Sequence, residues 1–309
     1  MAQPVTGRAA WAAAALLLAQ AAPGGAQAPA GAANPIGIFL RCTGQEDPRK
    51  ALEAVKSLGL DTIQVSRLPD RYYTPEGARE FSALLRETGM RADSVVAVFA
   101  GESYKDRETV VRTVGFRPLH LIPERLAYAR SCVDFAAAIG ARLVTFHMGF
   151  LPEDPDDPAY RAMLDAVTEI ARYGAPKGIT VSLETGQETG AQLAAFLDRI
   201  TVARVGVNFD PANLIIYGVD APSAALRHVV SRVTSVHVKD ALLPASPGAM
   251  GQEVRPGEGR AELAACFEIL RRAGFTGALI VENYVARGAG TDPMDELRRA
   301  VAFIRAAGW

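Results

Sequence analysis

Four ionisable residues stand at the ends of four apolar runs: Glu184 in ITVSLETG, Asp210 in VGVNFDPAN, His237 in VTSVHVKD and Glu282 in ALIVENY. Each run has the length and composition of a buried strand, where an ionisable group needs a partner. Three carboxylates and one imidazole, all at C-terminal strand ends, make a ligand set for one divalent cation. Oxygen-rich ligation with a single imidazole suits Mn²⁺ first, with Mg²⁺, Co²⁺, Fe²⁺ or Zn²⁺ as alternatives. The chemistry of such a site is proton transfer next to a carbonyl. The ion grips a carbonyl and an adjacent hydroxyl and stabilises the enediolate left when the intervening C–H loses its proton. Two carboxylates flanking the substrate take and return that proton. Glu184 and Glu282, from the first and last of the four runs, are the expected catalytic pair. Return to the neighbouring carbon gives an isomerase, and return to the opposite face an epimerase. Loss of a β-leaving group gives a lyase.

Side chains two apart on a strand face the same way. Asn208 is therefore expected to point with Asp210, and Lys239 with His237. Three carboxylates, a divalent ion and Lys239 sum to zero charge, a state that can be desolvated. Lys239 is then available to a substrate oxygen or an oxyanion; the structural alternative is a pair with Asp240 or another rim acid. His147, in FHMGF, also ends a strand-like run. It is a candidate for substrate contact, acid–base work or a second metal, against a plain core histidine. His120 and His228 fall in a loop and a helix and receive no role.

The elements that must position these groups alternate from residue 35 onward. Strand-like runs cover 36–40, 61–66, 92–100, 142–148, 179–184, 204–209, 233–238 and 278–283; they are short and rich in Val and Ile. Helical patterns cover 48–58, 75–88, 123–139, 158–174, 189–200, 221–230, 261–273 and 292–306. Glycines follow several of the helices and prolines open them. Eight right-handed βα units in series predict a single (β/α)₈ TIM barrel over 31–309, with its site at the C-terminal strand ends. The open doubly wound alternative lacks support, since GIFLRCTG is no GxGxxG loop. Two long connections, 101–122 and 241–260, lie on the site face and read as lids or substrate walls.

Residues 1–30 are different. WAAAALLLAQAA follows Arg8 and precedes a small-residue stretch, the layout of a secretory signal peptide cut near Ala28 or Ala30. The barrel is then expected in the periplasm, free of the membrane once the signal is cleaved. Net charge is −1, which gives no field to recruit nucleic acid or an anionic membrane. Three scattered cysteines make neither a disulfide framework nor a metal motif.

The order Glu, Asp, His, Glu on the last four strands resembles the sugar phosphate isomerase/epimerase superfamily of xylose-isomerase-like barrels. NFDPANLIIYG, HVKDA, EVRPGEG and ALIVENY carry the resemblance over about residues 36–306. It implies one metal on Glu184, Asp210, His237 and Glu282, with the two glutamates as acid and base. It also implies a small carbohydrate substrate and a homo-oligomer. Where many ketose 3-epimerases carry His three residues after the metal Asp, this chain has Asn213. A phosphate would need a cradle, for which Arg255 with Gly257 and Gly259 is the candidate. The leading expectation is a divalent-metal-dependent sugar isomerase or epimerase in which His147, Asn213, Lys239 and Arg255 bind substrate. The alternative is a lyase or hydrolase that eliminates the aglycone from oxidised (3-keto) glycosides at the same site, and the third is a non-catalytic sugar-binding barrel.

Overall fold

The computed structural model describes residues 34–246, 248–286 and 290–309. The expected signal segment, 1–30, lies outside them. Eight parallel strands close into a barrel: β1 (Ile36–Phe39), β2 (Thr62–Ser66), β3 (Arg91–Val96), β4 (Leu143–Phe146), β5 (Thr180–Glu184), β6 (Val205–Phe209), β7 (Val233–Val238) and β10 (Ala278–Val281), with β10 pairing both β7 and β1. Strands β8 (Asp240–Leu242) and β9 (Gln252–Val254) form a separate antiparallel pair. The helices are α1 (Pro48–Ser57), α2 (Pro75–Thr88), α3 (Arg107–Thr113), α4 (Ile122–Ile139), α5 (Pro158–Gly174), α6 (Gly190–Asp198), α7 (Pro211–Tyr217), α8 (Pro222–Val229), α9 (Leu263–Arg272) and α10 (Pro293–Ala306). No helix among the described residues is long and apolar enough to cross a membrane.

Barrel strands are wetted on neither face, which is why their sequences are apolar runs without alternation. Helix starts follow local chemistry. Asp47, Thr74, Asp157 and Asp292 accept N–H groups of the first turn of α1, α2, α5 and α10, each with proline among the first helical residues. Thr189 and Gln192 make a reciprocal capping box on α6.

Four observed strands stop earlier than expected, β1 at Phe39 and β10 at Val281 among them. β3 ends at Val96 and β4 at Phe146, so His147 sits just past its strand. Helix α7 was not expected from hydrophobic periodicity, being only two turns long. Its signals are Asp210 as cap, Pro211 at the first position and Gly218 in the left-handed conformation at the end. The two long connections are built structures. The 101–122 segment contains α3 and a 3₁₀ turn at Leu119–Leu121, and the 241–260 segment carries most of the β8–β9 ribbon.

Two β-bulges interrupt the barrel. Register passes from Ile63↔Ala92 to Gln64↔Ser94, which leaves Asp93 as the extra residue of β3. It passes from Val207↔Val233 to Asn208↔Ser235, which leaves Thr234 as the extra residue of β7. A bulge re-aims the side chain at the inserted position.

Candidate metal centre

Glu184 is the last residue of β5; Asp210 and Glu282 directly follow β6 and β10; His237 is the second-last residue of β7. Barrel closure places these strand ends side by side in the order β5, β6, β7, β10. One ligand atom from each of the four residues falls within 4.8 Å of the others, and all four residues are buried. His237 Nδ1 is the hub. It lies 3.2 Å from Glu184 Oε1, 3.3 Å from Asp210 Oδ2 and 3.1 Å from Glu282 Oε2.

Each ligand is held from behind. Asp210 divides its oxygens: Oδ1 caps α7 through the Asn213 N–H at 3.0 Å, and Oδ2 faces the cluster. The Asp210 backbone N–H donates to Thr185 Oγ1 at 2.8 Å, and the Thr185 hydroxyl donates back to the Asp210 carbonyl at 3.0 Å. Asn213 Nδ2 donates to Glu184 Oε1 at 3.1 Å. That approach needs Gly186, where a Cβ would lie 2.3 Å from Asn213 Cβ. His237 Nε2 lies 2.7 Å from Gln64 Oε1, reaching across the barrel to a strand that is not its neighbour.

Lys239, between β7 and β8, bonds Glu282 Oε2 at 2.7 Å and lies 3.0 Å from Asp210 Oδ2. It does not pair with Asp240. That carboxylate instead accepts the N–H groups of Ala241, Gly257, Gly259 and Ala261, which folds the GEG loop around it. Gly259 is required there, since a Cβ would meet Asp240 Oδ1 at 2.1 Å. The N–H groups proposed for a phosphate cradle are thus committed to Asp240. Arg255 makes a two-pronged pair with Glu296 at 2.7 and 2.8 Å.

His147 Nε2 lies 3.4 Å from Glu184 Oε1, and its ring packs against Tyr104 with centroids 5.9 Å apart. Its Nδ1 is buried with no hydrogen-bond partner among the described residues. Asn208 turns away from the ligand oxygens; its Nδ2 is 3.1 Å from His237 Nε2. Gln64, Thr185 and Glu253 belong to the site without having been singled out by sequence. Glu253, on β9, accepts the Tyr284 N–H at 2.6 Å. Only Gln64 left a signal, as an uncharged polar residue inside the apolar strand run DTIQVS.

The electrostatics follow from three buried acids sharing one space. Burial opposes ionisation of Asp210 and Glu282, but Lys239 and His237 outweigh it and hold both carboxyls below their usual range. Burial opposes the positive charge on His237 and Lys239, and the surrounding acids outweigh it, holding both well above their ordinary values. Glu253 is pushed up to about 7 by burial, against the pull of Lys239. Three carboxylates converging on one ring nitrogen attract a cation. The O₃N donor set fits a hard or borderline divalent ion, with Glu184, Asp210, His237 and Glu282 as its ligands.

Two insertions wall the site. Glu102 accepts the N–H groups of Phe99 and Gly115 and the hydroxyl of Tyr104. Buried Arg125, from α4, donates to the carbonyls of Gly115, Thr113 and Ala100. Val110 and Val114 of the first insertion pack on Tyr217 of α7, with Met250 of the second insertion against the same cluster. Arg107 Nη1 bonds the Tyr217 carbonyl at 2.9 Å, and the Gly251 N–H bonds the Ile216 carbonyl at 2.8 Å. Both insertions therefore dock on the helix that Asp210 caps.

The family model described as xylose isomerase-like TIM barrel matches residues 52–307. No curated protein matches the chain. Among solved structures, the chain is similar to a xylose isomerase domain protein from Planctomyces limnophilus, at 32% identity and a TM-score of 0.78 over 88% of this chain and 96% of that one. A xylose isomerase-like TIM barrel protein from Mycobacterium smegmatis in complex with magnesium is 20% identical, with a TM-score of 0.66 over 89% of this chain and 96% of that one. D-psicose 3-epimerase from Clostridium cellulolyticum H10, solved with D-tagatose, is 17% identical, with a TM-score of 0.65 over 88% and 99%. At those lower identities the likeness is one of fold. With a closed eight-stranded barrel and a family match over most of its length, this chain belongs to the xylose isomerase-like TIM barrel family.

Proposed function

We propose that the protein is a divalent-metal-dependent isomerase or epimerase of a small carbohydrate. The observation that carries this is the pair of glutamates that converge on one ring nitrogen, Glu184 at 3.2 Å and Glu282 at 3.1 Å. A binding barrel has no need of two acids beside the ion. Mn²⁺ is the proposed metal, and the magnesium complex of the Mycobacterium smegmatis neighbour supports a hard divalent ion. Bound there, the ion would polarise a substrate carbonyl and lower the pKa of the C–H beside it.

The residues of the chain do the rest. Contacts from His147, Asn213 and His237 all fall on Oε1 of Glu184, and those from Lys239 and His237 on Oε2 of Glu282. Each glutamate thus keeps one oxygen for a substrate proton. Lys239 holds Glu282 ionised and stands ready to meet negative charge developing on a substrate oxygen. Asn213 spends its amide on Glu184, so it acts on substrate through that carboxylate. His147, with Nδ1 unpaired, meets a hydroxyl of the sugar. Carbohydrate ligands of the neighbours, such as D-tagatose with the Clostridium enzyme, support the substrate class. The layout of residues 1–30 supports action after export, in the periplasm.

The test is product analysis. Mn²⁺-loaded protein is incubated with free ketoses, an inosose and 3-keto-glycosides. A product of unchanged mass and new retention time is expected from a ketose or inosose. Release of an aglycone would instead establish the lyase reading, and no conversion of any of them would refute both.

A further inference from the structure

The polar side chains inside the barrel, beneath the metal centre, are arranged in one direction. His237 presents Nδ1 to the acids and Nε2 to Gln64 Oε1, 2.7 Å away. Gln64 Nε2 donates to Ser94 Oγ at 3.0 Å, and the Ser94 hydroxyl donates to Asp93 Oδ2 at 3.0 Å. Gln64 and Ser94 are fully buried, whereas Asp93 is half-buried at the far end. The bulge between β2 and β3 makes this string: Ser94 pairs with Gln64, and the extra residue Asp93 turns to meet the Ser94 hydroxyl.

We propose that Asp93, Ser94 and Gln64 are positioning residues that fix His237 as the Nε2–H tautomer and leave its Nδ1 lone pair for the ion. The inference rests on His237 being a metal ligand. Its logic is donor counting. An ionised carboxylate only accepts, so the Ser94 proton must point to Asp93. Ser94 Oγ must then accept, so the Gln64 amide turns its NH₂ to Ser94 and its carbonyl to His237. That carbonyl only accepts, so Nε2 must carry hydrogen. Burial pushes the Asp93 carboxyl up to about 6, which leaves it ionised at neutral pH. It lines a cavity of about 450 Å³ at the opposite mouth of the barrel, roomy and polar enough to be hydrated.

One neighbour could oppose this. Asn208 Nδ2 lies 3.1 Å from the same ring nitrogen, and its Oδ1 accepts from the Ser235 hydroxyl at 2.6 Å. That pair has no fixed polarity, because a hydroxyl both donates and accepts and an amide can flip. Asp93 is the acceptor-only end among these groups, so its string sets the direction and Asn208 follows.

The test is a Mn²⁺ titration of the full chain, with free Mn²⁺ read by electron paramagnetic resonance. Removal of outer hydrogen-bond partners weakens metal binding by about 10–100-fold, so Gln64→Met and Asp93→Asn should each weaken it by roughly 10-fold. Gln64→Glu supplies a carboxylate directly to Nε2–H and should stay within about twofold of wild type; in that background Asp93→Asn should add nothing. The metal-free melting temperature of Asp93→Asn should not fall, which separates the effect from lost folding. In Mg²⁺-loaded protein labelled with ¹⁵N-histidine, one imidazole should show a coupled Nε2–H whose exchange with solvent Gln64→Met speeds. Stoichiometric Mn²⁺ binding with equal affinity in wild type and Asp93→Asn would overturn the string and leave the metal centre standing. A Gln64→Glu variant as weak as Gln64→Met would overturn it too. A wild-type chain that binds no Mn²⁺ would remove both the centre and the string.

Discussion

At the scale of single residues, the candidate centre is a charge balance that a divalent ion would complete, since two cations face three acids without it. Without a metal, Lys239 and a protonated His237 neutralise Asp210 and Glu282. Breaking a buried pair by removing one partner costs about 3–5 kcal/mol, so Lys239→Met should lower metal-free stability by about that much in denaturant titrations. Saturating Mn²⁺ should recover most of the loss, because the ion supplies the missing charge. Glu188 offers a second test. It is buried beside Glu184 with Oε1 unpartnered, and burial, with the nearby Glu184 charge, pushes it up to about 8. A carboxyl raised in the fold above its ordinary 4.5 stabilises below that value and loses the contribution as pH rises through about 8. Glu188→Gln should therefore raise the melting temperature of metal-free protein progressively between those pH values and level off above; a constant or opposite difference would contradict it. The four clustered residues were legible because each stands as an ionisable group at the end of an apolar run. Gln64 and Asp93 were not, because the reach of Gln64 across the barrel depends on closure and the placement of Asp93 on a register shift. Gln64 shows locally only as an uncharged polar residue in an apolar run, and Asp93 not at all.

At the scale of elements, the eight βα units were legible from strand length, Val and Ile content, and the Pro and Gly punctuation of the helices. The insertions were legible as segments and not as structures. Their order comes from single buried groups that flank them: Arg125 holds two carbonyls of the first and that of Ala100 just before it, and Asp240 holds N–H groups at both ends of the second. These bonds tie both insertions to the barrel. Arg125→Met should free residues 101–121, seen as faster amide hydrogen exchange there with the barrel strands unchanged. Asp240→Ala should do the same for residues 255–261. Helix α7 joins the walls to the chemistry, since both insertions dock on the helix that Asp210 caps. Loosening either wall is therefore expected to lower turnover through the placement of Asp210.

At the scale of the whole molecule, the barrel converts sequence order into a ring, so that ligands scattered from Glu184 to Glu282 become neighbours. The proposed ligands come from separate βα units, so an ion held by them would bind the folded chain and not the unfolded one. At a free concentration of 100 times its dissociation constant it should add about 2.7 kcal/mol to stability. The central claim is that this ring moves a proton from carbon using Glu184 and Glu282 beside a divalent ion. Its most direct test is deuterium uptake from D₂O into a panel of ketoses and inososes. The account predicts C–H exchange by the Mn²⁺-loaded chain, none after chelation, and a loss of about 10²–10⁴-fold in Glu282→Gln with Mn²⁺ still bound. Exchange that survives chelation, or that proceeds equally in wild type and Glu282→Gln, would contradict it.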